Sequence, residues 1–277
     1  MKALLTFYRA WHGRLHFKGA GWLIRTLAPH VRSLQACPLP MPGAGVALLD
    51  FRDLQAFALL NLSLGDPGPN AILIELIARC AGPGAVIWDI GASVGVVSYK
   101  LATAGLNAAE IHAFEPHPQA LAMLRSLFAG HGHVHVHPFG LGAEAGELKL
   151  ALVGGDSSLS TVAGSRAGQE QVTVRVITGD DVVSKQTAPP PRVIKIDVEG
   201  FEAQVLQGLR RTVEFHKPYI FFEHIFLTDD QLRAMTPEGY SMSFIGSDGR
   251  LTDDSKTRGG GGDAVMIPPG GRPSLEE

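Results

Sequence analysis

Cysteine, charge and long apolar runs are all scarce in this sequence. Its 277 residues include only two cysteines, Cys37 and Cys80. Two thiols are too few for a disulfide framework or a thiolate metal cage, and they favour a protein of the reducing cytoplasm. The formal net charge of -3 provides no positive field that would attract a polyanion, so nucleic acid is not an expected partner.

The amino-terminal segment, residues 1–29, is apolar and basic but contains no run of membrane-spanning length. Arg9, His12 and Arg14 interrupt its apolar residues, which argues against a signal peptide and a transmembrane segment. Contact with a membrane surface is one alternative, but a lid or a dimer contact on the core is favoured. Residues 1–70 are therefore predicted to be a mainly helical extension of a monomer or homodimer.

Alternation of short apolar runs with helical patterns dominates the rest of the chain. After proline- and glycine-rich stretches at residues 37–45 and 64–70, runs such as VIWDI and IHAFEP alternate with segments such as QALAMLRSLFAG. This rhythm predicts an α/β domain with a parallel sheet over residues 71–268. The polar stretch at residues 155–170 predicts a surface loop over the substrate, and residues 269–277 predict a frayed tail.

The first chemical motif is VIWDIGASVGVVSYK, in which a buried strand passes through Asp89, Gly91 and Gly95 into a helix. Glycines allow the backbone to approach a ligand, and the helix start presents free N–H groups. Ser93 stands where a dinucleotide fingerprint requires its second glycine, which disfavours a nicotinamide cofactor. Asp89 suits an ammonium group, such as that of the methionyl part of S-adenosylmethionine. A tight turn without a ligand is the alternative.

The next strand, IHAFEP, ends in Glu115, about 20 residues beyond the glycine loop. An acidic side chain at this position can accept hydrogen bonds from both ribose hydroxyls of a nucleoside. A solvated carboxylate at the strand end is the alternative, but the two motifs together predict one nucleoside site. Pro116 is expected to begin the following helix.

Two further strands carry charged residues at their carboxyl ends. In RVIKIDVEG, an alternation of period two places Lys195, Asp197 and Glu199 on one side of the strand. In PYIFFEH, Glu223 and His224 end the next strand. These groups suit deprotonation of a hydroxyl, or a divalent ion held by Asp197, Glu223 and His224. A structural ion pair and a surface histidine beside a capping carboxylate are the alternatives.

Three histidines, His133, His135 and His137, alternate along HGHVHVHP and are expected on one face of a strand. No further ligand is evident beside them, so a solvated or half-buried strand face is favoured over a zinc site. Val134 and Val136 are then expected on the core side of the same strand.

Together, the motifs resemble the FkbM family of methyltransferases, which is typified by D-x-G-A-x-x-G, F-E-P-x-P and K-I-D-V-E-G. The corresponding runs are DIGASVG from Asp89 to Gly95, FEPHP from Phe114 to Pro118, and KIDVEGFE from Lys195 to Glu202. Their order and spacing cover residues 86–224, about half of the chain. Two positions depart from the family pattern, because Ser93 replaces the usual asparagine and Gly179 replaces the usual leucine.

The resemblance implies a class I methyltransferase fold, which is a Rossmann-like, seven-stranded, mostly parallel sheet with helices on both faces. It also implies S-adenosylmethionine as the cofactor and O-methylation of a hydroxyl on a sugar, glycolipid or other small natural product. A requirement for a divalent metal stays open. A nucleotide-dependent oxidoreductase or epimerase, and a non-catalytic nucleoside-binding protein, are the alternatives.

The predicted site residues form two groups. The cofactor-binding group is Asp89, Gly91, Ser93, Gly95, Glu115, Pro116, Leu141 and Gly142. By resemblance, Leu141 and Gly142 lie near adenine, and Asp197 faces the transferred methyl. The catalytic group is Asp197, Glu199, Glu223 and His224, with Asp197 or His224 as the general base and the other two acids orienting the acceptor or holding a divalent ion. Acceptor specificity is expected from the amino-terminal segment and residues 157–169.

Overall fold

An eight-stranded mixed sheet lies at the centre of the protein. The structure is a computed structural model that describes residues 19–65, 70–105, 109–153, 156–161, 171–225, 227–253 and 262–271. The strands of the central sheet, in spatial order, are β13 (Leu251–Thr252), β12 (Ser241–Ile245), β14 (Asp263–Ile267), β11 (Tyr219–Glu223), β10 (Val193–Ile196), β3 (Val86–Ile90), β4 (Glu110–Phe114) and β5 (Val134–His137).

The strand order is that of a class I methyltransferase fold. Five adjacent strands from β11 to β5 run parallel, and β14 is inserted antiparallel between β11 and β12. The chain order reverses between β3 and β10, which places a ligand crevice at the carboxyl ends of these two strands. The predicted fold is confirmed, except that β13 adds an eighth, two-residue strand by pairing with the outer edge of β12.

Helices cover both faces of this sheet, and each face has its own apolar core. One face packs against α2 (Gln55–Ser63), α3 (Ala71–Ala81), α4 (Val96–Thr103) and α5 (Pro118–Leu127). The other face packs against α6 (Gly179–Ser184), α7 (Glu202–Gly208), α8 (Arg210–His216) and α9 (Asp229–Met235). Alternation along β3 explains this arrangement, because Ile87 belongs to the first core while Trp88 and Ile90 belong to the second.

A second, four-stranded sheet stands beside the carboxyl edge of the first. In spatial order, its strands are β6 (Gly140–Leu141), β9 (Gln171–Ile177), β7 (Gly146–Val153) and β8 (Asp156–Thr161). The surface loop predicted at residues 155–170 is therefore wrong for residues 156–161, and residues 162–170 lie outside the described part. The polar composition of β8 misled the prediction, because backbone pairing with β7 does not depend on apolar side chains.

Within its described residues, the amino-terminal extension is mainly helical, as predicted, and it also contains a β-hairpin. Its elements are α1 (Gly19–Leu27), two short 3-10 helices (Ala28–His30 and Arg32–Leu34), β1 (Cys37–Pro40), β2 (Val46–Leu49) and α2. The prolines of β1 lie at its exposed positions, where a strand of a two-stranded sheet tolerates them. Buried residues of the hairpin join the core around β3 and β4, so residues 19–65 are continuous with the main domain. Across the described ranges, the helices are all too short or too polar to cross a membrane.

Candidate functional site

A cavity of about 540 Å³ opens at the carboxyl ends of β3, β4, β10 and β11. Its base carries the polar groups of these strand ends, while apolar side chains of α2 and of the second sheet form its walls. The predicted site residues that line it are Gly91, Ser93, Glu115, Pro116, Leu141, Asp197, Glu199 and Glu223. Its position at the reversal of strand order is the usual ligand site of an open α/β sheet.

The loop between β3 and α4 passes directly against the end of β10. Gly91 has a φ of 79°, and a Cβ at this position would overlap the backbone carbonyl of Asp197. Gly95 has a φ of 95°, and a Cβ there would come within 2.6 Å of Leu124 on α5. Close approaches of neighbouring atoms therefore require glycine at both positions. Of the two, only Gly91 also lines the cavity.

A Gly91→Ala substitution is expected to destabilise the fold by about 4 kcal/mol or more, because a steric overlap with backbone adds to the cost of a positive φ. Thermal or urea unfolding of the purified variant measures this. Gly105→Ala is the matched control, since Gly105 has a φ of 74° and open space around it. We expect the control to cost about 1 kcal/mol. Equal costs for the two variants would contradict the close approach.

Two carboxylates and one ammonium group form a chain that leads from the core to the cavity, with Asp89 and Lys195 buried and Asp197 partly exposed. Lys195 Nζ lies 3.3 Å from Asp89 Oδ1 and 3.1 Å from Asp197 Oδ2. The Ser98 hydroxyl donates a 2.6 Å hydrogen bond to the other oxygen of Asp89. Burial lowers the pKa of Lys195, but the carboxylates of Asp197 and Asp89 outweigh it and hold that pKa above its usual range. The chain therefore carries one net negative charge.

Removing the ammonium group with Lys195→Met is expected to destabilise the protein by about 3–5 kcal/mol, because Asp89 remains buried without its counter-ion. Chemical unfolding measures the loss. The exposed pair of Lys185 and Asp181 provides the control, and Lys185→Met should cost less than about 1 kcal/mol. The double variant Asp89→Asn/Lys195→Met should recover part of the stability. If the double variant recovers no stability, the loss in Lys195→Met does not come from a buried Asp89 charge without its counter-ion.

Glu115 is almost fully buried, and its carboxylate holds two segments of the site together. The backbone N–H groups of Ser93 and His117 donate to its two oxygens, each at 2.7 Å. Burial raises the pKa of Glu115 to about 7, although these hydrogen bonds act in the opposite direction. Ser93 itself is left-handed, with a φ of 50°, and its buried hydroxyl has no hydrogen-bond partner among the described residues.

The turn after β10 projects acidic groups toward the cavity. Glu199 has a φ of 52°, and Gly200 has a φ of 93°. The buried Glu202 side chain accepts a 3.1 Å hydrogen bond from the Gly200 N–H, so it fixes the shape of this turn. Burial raises the pKa of Glu202. The sequence motif KIDVEGFE includes Glu202, but the predicted site did not.

A cluster of acids meets at the ends of β10 and β11. Asp197, Glu199 and Glu223 each offer a carboxylate oxygen, and these oxygens all lie within 4.8 Å of one another. Asp263 pairs with Glu223 across the β11–β14 ladder and was missed by the sequence prediction. Burial, and then the charges of Asp197, Glu199 and Asp263, raise the pKa of Glu223 to about 7. Burial, and then Asp197, raise the pKa of Asp263 to about 6. Such a cluster suits a general base or a divalent cation.

Four predicted site residues do not line the cavity, namely Asp89, Gly95, Gly142 and His224. Asp89 is fully buried behind Lys195, so it reaches the cavity only through that ammonium group. A Cβ at Gly142 would come within 2.9 Å of Val176, which makes Gly142 a packing position. The buried ring of His224 contacts Phe244 edge-on, with the ring centroids 5.0 Å apart. Among the described residues, the ligand atoms that converge at the cavity belong to Asp197, Glu199 and Glu223, and His224 of the predicted metal set is not in this group.

Helix α2 closes one side of the cavity, where Gln55, Ala58, Asn61 and Leu62 face the strand ends. The opposite wall is apolar and comes from the second sheet and the turn after β10. Its side chains are Leu141, Leu148, Leu150, Val174, Val176 and Phe201. The apolar wall of the cavity is therefore suited to a flat apolar group, and the polar strand ends are suited to polar and cationic groups.

Comparison with known proteins points to one family. Residues 89–243 match the family model of the methyltransferase FkbM domain. The hexuronic acid methyltransferase AglP of Haloferax volcanii is 28% identical over 147 residues, which make up 51% of this chain and 57% of AglP. The similarity thus spans little more than half the length of that curated relative.

Solved structures that are similar to this chain include the methyltransferase FkbM from Methylobacillus flagellatus KT. That structure has 18% sequence identity and a TM-score of 0.46, with 89% of this chain and 60% of that chain covered. The O-methyltransferase TomG from Streptomyces achromogenes, solved in complex with SAM, has 14% identity and a TM-score of 0.41, with 72% and 78% covered. The family model covers more than half of the chain, and its motifs line the cavity. This protein is therefore a methyltransferase of the FkbM family.

Proposed function

We propose that the protein transfers a methyl group from S-adenosylmethionine to a hydroxyl of a sugar or a sugar-containing small molecule. The observation that carries this proposal is Glu223, a carboxylate with a pKa raised to about 7 in the acidic cluster at the cavity. A base with this pKa is matched to removing a hydroxyl proton near neutral pH. The name of the relative AglP, a hexuronic acid methyltransferase, supports a sugar as the acceptor class.

The cavity fits the proposed cofactor in size, charge and polarity. Its volume of about 540 Å³ suits a ligand of this size, and its apolar wall of Leu141, Val174 and Val176 suits an adenine ring. Glu115 is positioned to accept hydrogen bonds from ribose hydroxyls, and the Ser93 hydroxyl, which has no hydrogen-bond partner in the described ranges, offers one more polar contact. The bound cofactor would supply an electrophilic methyl group on a positively charged sulfur.

The net negative charge of the Asp89–Lys195–Asp197 chain favours the cationic end of this cofactor. Asp197 lies at the cavity, whereas Asp89 contributes its charge from below. The sequence prediction of a direct contact between Asp89 and an ammonium group is therefore revised to an indirect, electrostatic role in this proposal.

The acidic cluster performs the chemistry on the acceptor in this proposal. Ionised carboxylates only accept hydrogen bonds, so Asp197 and Glu199 can orient neighbouring hydroxyls of a polyol. Glu223 then takes the proton of the hydroxyl that is methylated. Alignment of that hydroxyl supplies much of the rate, because the donor is already activated.

A divalent cation between Asp197, Glu199 and Glu223 is the alternative way to activate the hydroxyl. The charge of the acceptor decides whether a cation is needed to activate the hydroxyl. The carboxylate of a hexuronate would be repelled by the cluster unless a cation lay between them, whereas a neutral sugar needs no cation. Metal dependence therefore depends on the acceptor in this proposal.

The experiment is a transfer assay with cofactor carrying a labelled methyl group, over matched pairs of neutral hexosides and hexuronides. Each pair is tested with Mg²⁺ and with EDTA. We expect label in a base-stable methyl ether, with transfer to hexuronides lost in EDTA and transfer to neutral hexosides retained. Label on carboxylate oxygen as a base-labile ester, or no transfer to any sugar, would overturn the proposal.

A further inference from the structure

A group of histidines and one glutamate lies on β4 and β5, at a distance from the cavity. None of Glu110, His112, His135 and His137 is among the residues that line the cavity. His112 and His135 are direct neighbours in the register of the two strands, and their rings stack with centroids 4.7 Å apart. Glu110 lies two positions before His112, so both side chains share one face of β4.

Three of these side chains offer ligand atoms to a common point. One atom each from Glu110, His112 and His135 lies within 4.8 Å of the other two. His112 Nε2 and Glu110 Oε2 lie 3.7 Å apart, which is too long for a hydrogen bond. His112 Nε2 is buried and has no hydrogen-bond partner within the described part of the chain. A buried polar atom in that state is costly, and a cation on it removes the cost.

The fourth residue, His137, orients the buried ring. His112 Nδ1 and His137 Nε2 are 3.0 Å apart, so one of the two nitrogens donates to the other. When His112 donates through Nδ1, its Nε2 carries the lone pair that a cation can bind. Metal-binding histidines are commonly held in this way by a hydrogen bond from their second nitrogen.

We infer that Glu110, His112 and His135 form a binding site for a transition-metal ion of the Zn²⁺ type, which links the edge strand β5 to β4. Two imidazoles and one carboxylate are a ligand set that Zn²⁺ accepts, with water in the fourth position. Metal–ligand bonds of about 2.0–2.1 Å place tetrahedral ligand atoms about 3.3 Å apart. Glu110 and His135 are exposed and can close by about 1 Å through side-chain rotation, while the buried His112 stays fixed.

This site changes the interpretation of the histidine run. His135 and His137 lie on β5 and His133 lies just before it, and of these three only His135 belongs to the proposed ligand set. The missing ligands come from the neighbouring strand β4, which the sequence of β5 alone does not indicate. The hard cations Mg²⁺ and Ca²⁺ prefer oxygen ligands, so they are not expected at this site.

The test is calorimetric titration of the full chain with ZnCl₂, with MgCl₂ as the comparison cation. His135→Ala and Glu110→Gln remove exposed ligands and are expected to weaken Zn²⁺ binding by about tenfold or more. His133→Ala is the matched control, because it removes an exposed histidine only two residues before His135. We expect that variant to bind within about twofold of the unaltered chain. Thermal unfolding should show a Zn²⁺-dependent rise in Tm that is reduced in His135→Ala and in Glu110→Gln and is kept in His133→Ala.

Glu223→Gln separates this site from the acidic cluster at the cavity. The inference predicts that Zn²⁺ binding at the histidine site survives in Glu223→Gln. Absence of Zn²⁺ binding to the unaltered chain, an equal loss in His133→Ala and His135→Ala, or a loss confined to Glu223→Gln would each overturn the inference. Its readouts are binding and Tm, so failure of the proposed methyl transfer would leave it unaffected.

Discussion

Replacing Glu223 with glutamine is expected to lower kcat by about 10²–10⁴-fold, the usual contribution of a general base. The amide keeps the size and one acceptor oxygen of the side chain but cannot take a proton. The affinity for S-adenosylhomocysteine should be nearly unchanged, because Glu223 belongs to the acceptor side of the cavity in the proposed function. Steady-state kinetics and calorimetric titration separate these two effects.

The pH dependence of the unaltered enzyme follows from the same side chain. Because the pKa of Glu223 is raised to about 7, the base is protonated and inactive below this pH. The kcat/KM should therefore rise as pH increases through about 7, and this limb should disappear in Glu223→Gln. Glu214→Gln is the control, since Glu214 is an exposed glutamate on α8. A Glu223→Gln variant with full kcat and an unaltered pH profile would exclude Glu223 as the base.

The second large effect is expected at Glu115. Replacing it with alanine should weaken binding of S-adenosylhomocysteine by about 100-fold, because two hydrogen bonds from ribose hydroxyls to the Glu115 side chain are lost. Calorimetric titration measures this, with NAD as a comparison ligand that should not bind. Binding of NAD in preference to S-adenosylhomocysteine would contradict the proposed cofactor and revive a nucleotide-dependent oxidoreductase.

Controls are needed because Glu115 also holds the backbone of Ser93 and His117. Thermal unfolding should therefore show a loss of about 1–3 kcal/mol in Glu115→Ala. Glu115→Gln keeps one acceptor oxygen, so its affinity for S-adenosylhomocysteine should lie between that of Glu115→Ala and that of the unaltered chain. Glu147→Gln, at an exposed position on β7, should change neither quantity. Unchanged ligand binding in both Glu115 variants would remove this residue from the cofactor site.

The meeting of site residues at the ends of the parallel strands could be predicted from the sequence for a physical reason. The carboxyl ends of adjacent parallel strands meet at one edge of a sheet, so Glu115, Asp197 and Glu223 were expected to converge there. The predicted fold class followed from the same alternation of apolar runs and helices. In these cases a short segment of sequence determines both the type of secondary-structure element and the direction of its side chains.

Contacts between distant segments could not be predicted in the same way. Asp263 reaches the acidic cluster through antiparallel pairing of β14 with β11, and nothing in the short run DAVMIP indicates that register. The burial of Asp89 depends on Lys195, more than 100 residues later. His224 was expected at the cavity, but its ring packs on Phe244 because alternation directs it away from Glu223.

The contact between Gly91 and the Asp197 backbone joins the two halves of the cavity. The loop that is proposed to hold the cofactor rests directly on the strand end that is proposed to hold the acceptor. Ordering of either segment by its ligand would then also order the other. We expect cooperative binding, in which S-adenosylhomocysteine raises the affinity for the acceptor and the acceptor raises the affinity for S-adenosylhomocysteine by the same factor. Titration of each ligand in the presence and absence of the other measures that factor, and a factor of one would show that the two halves act independently.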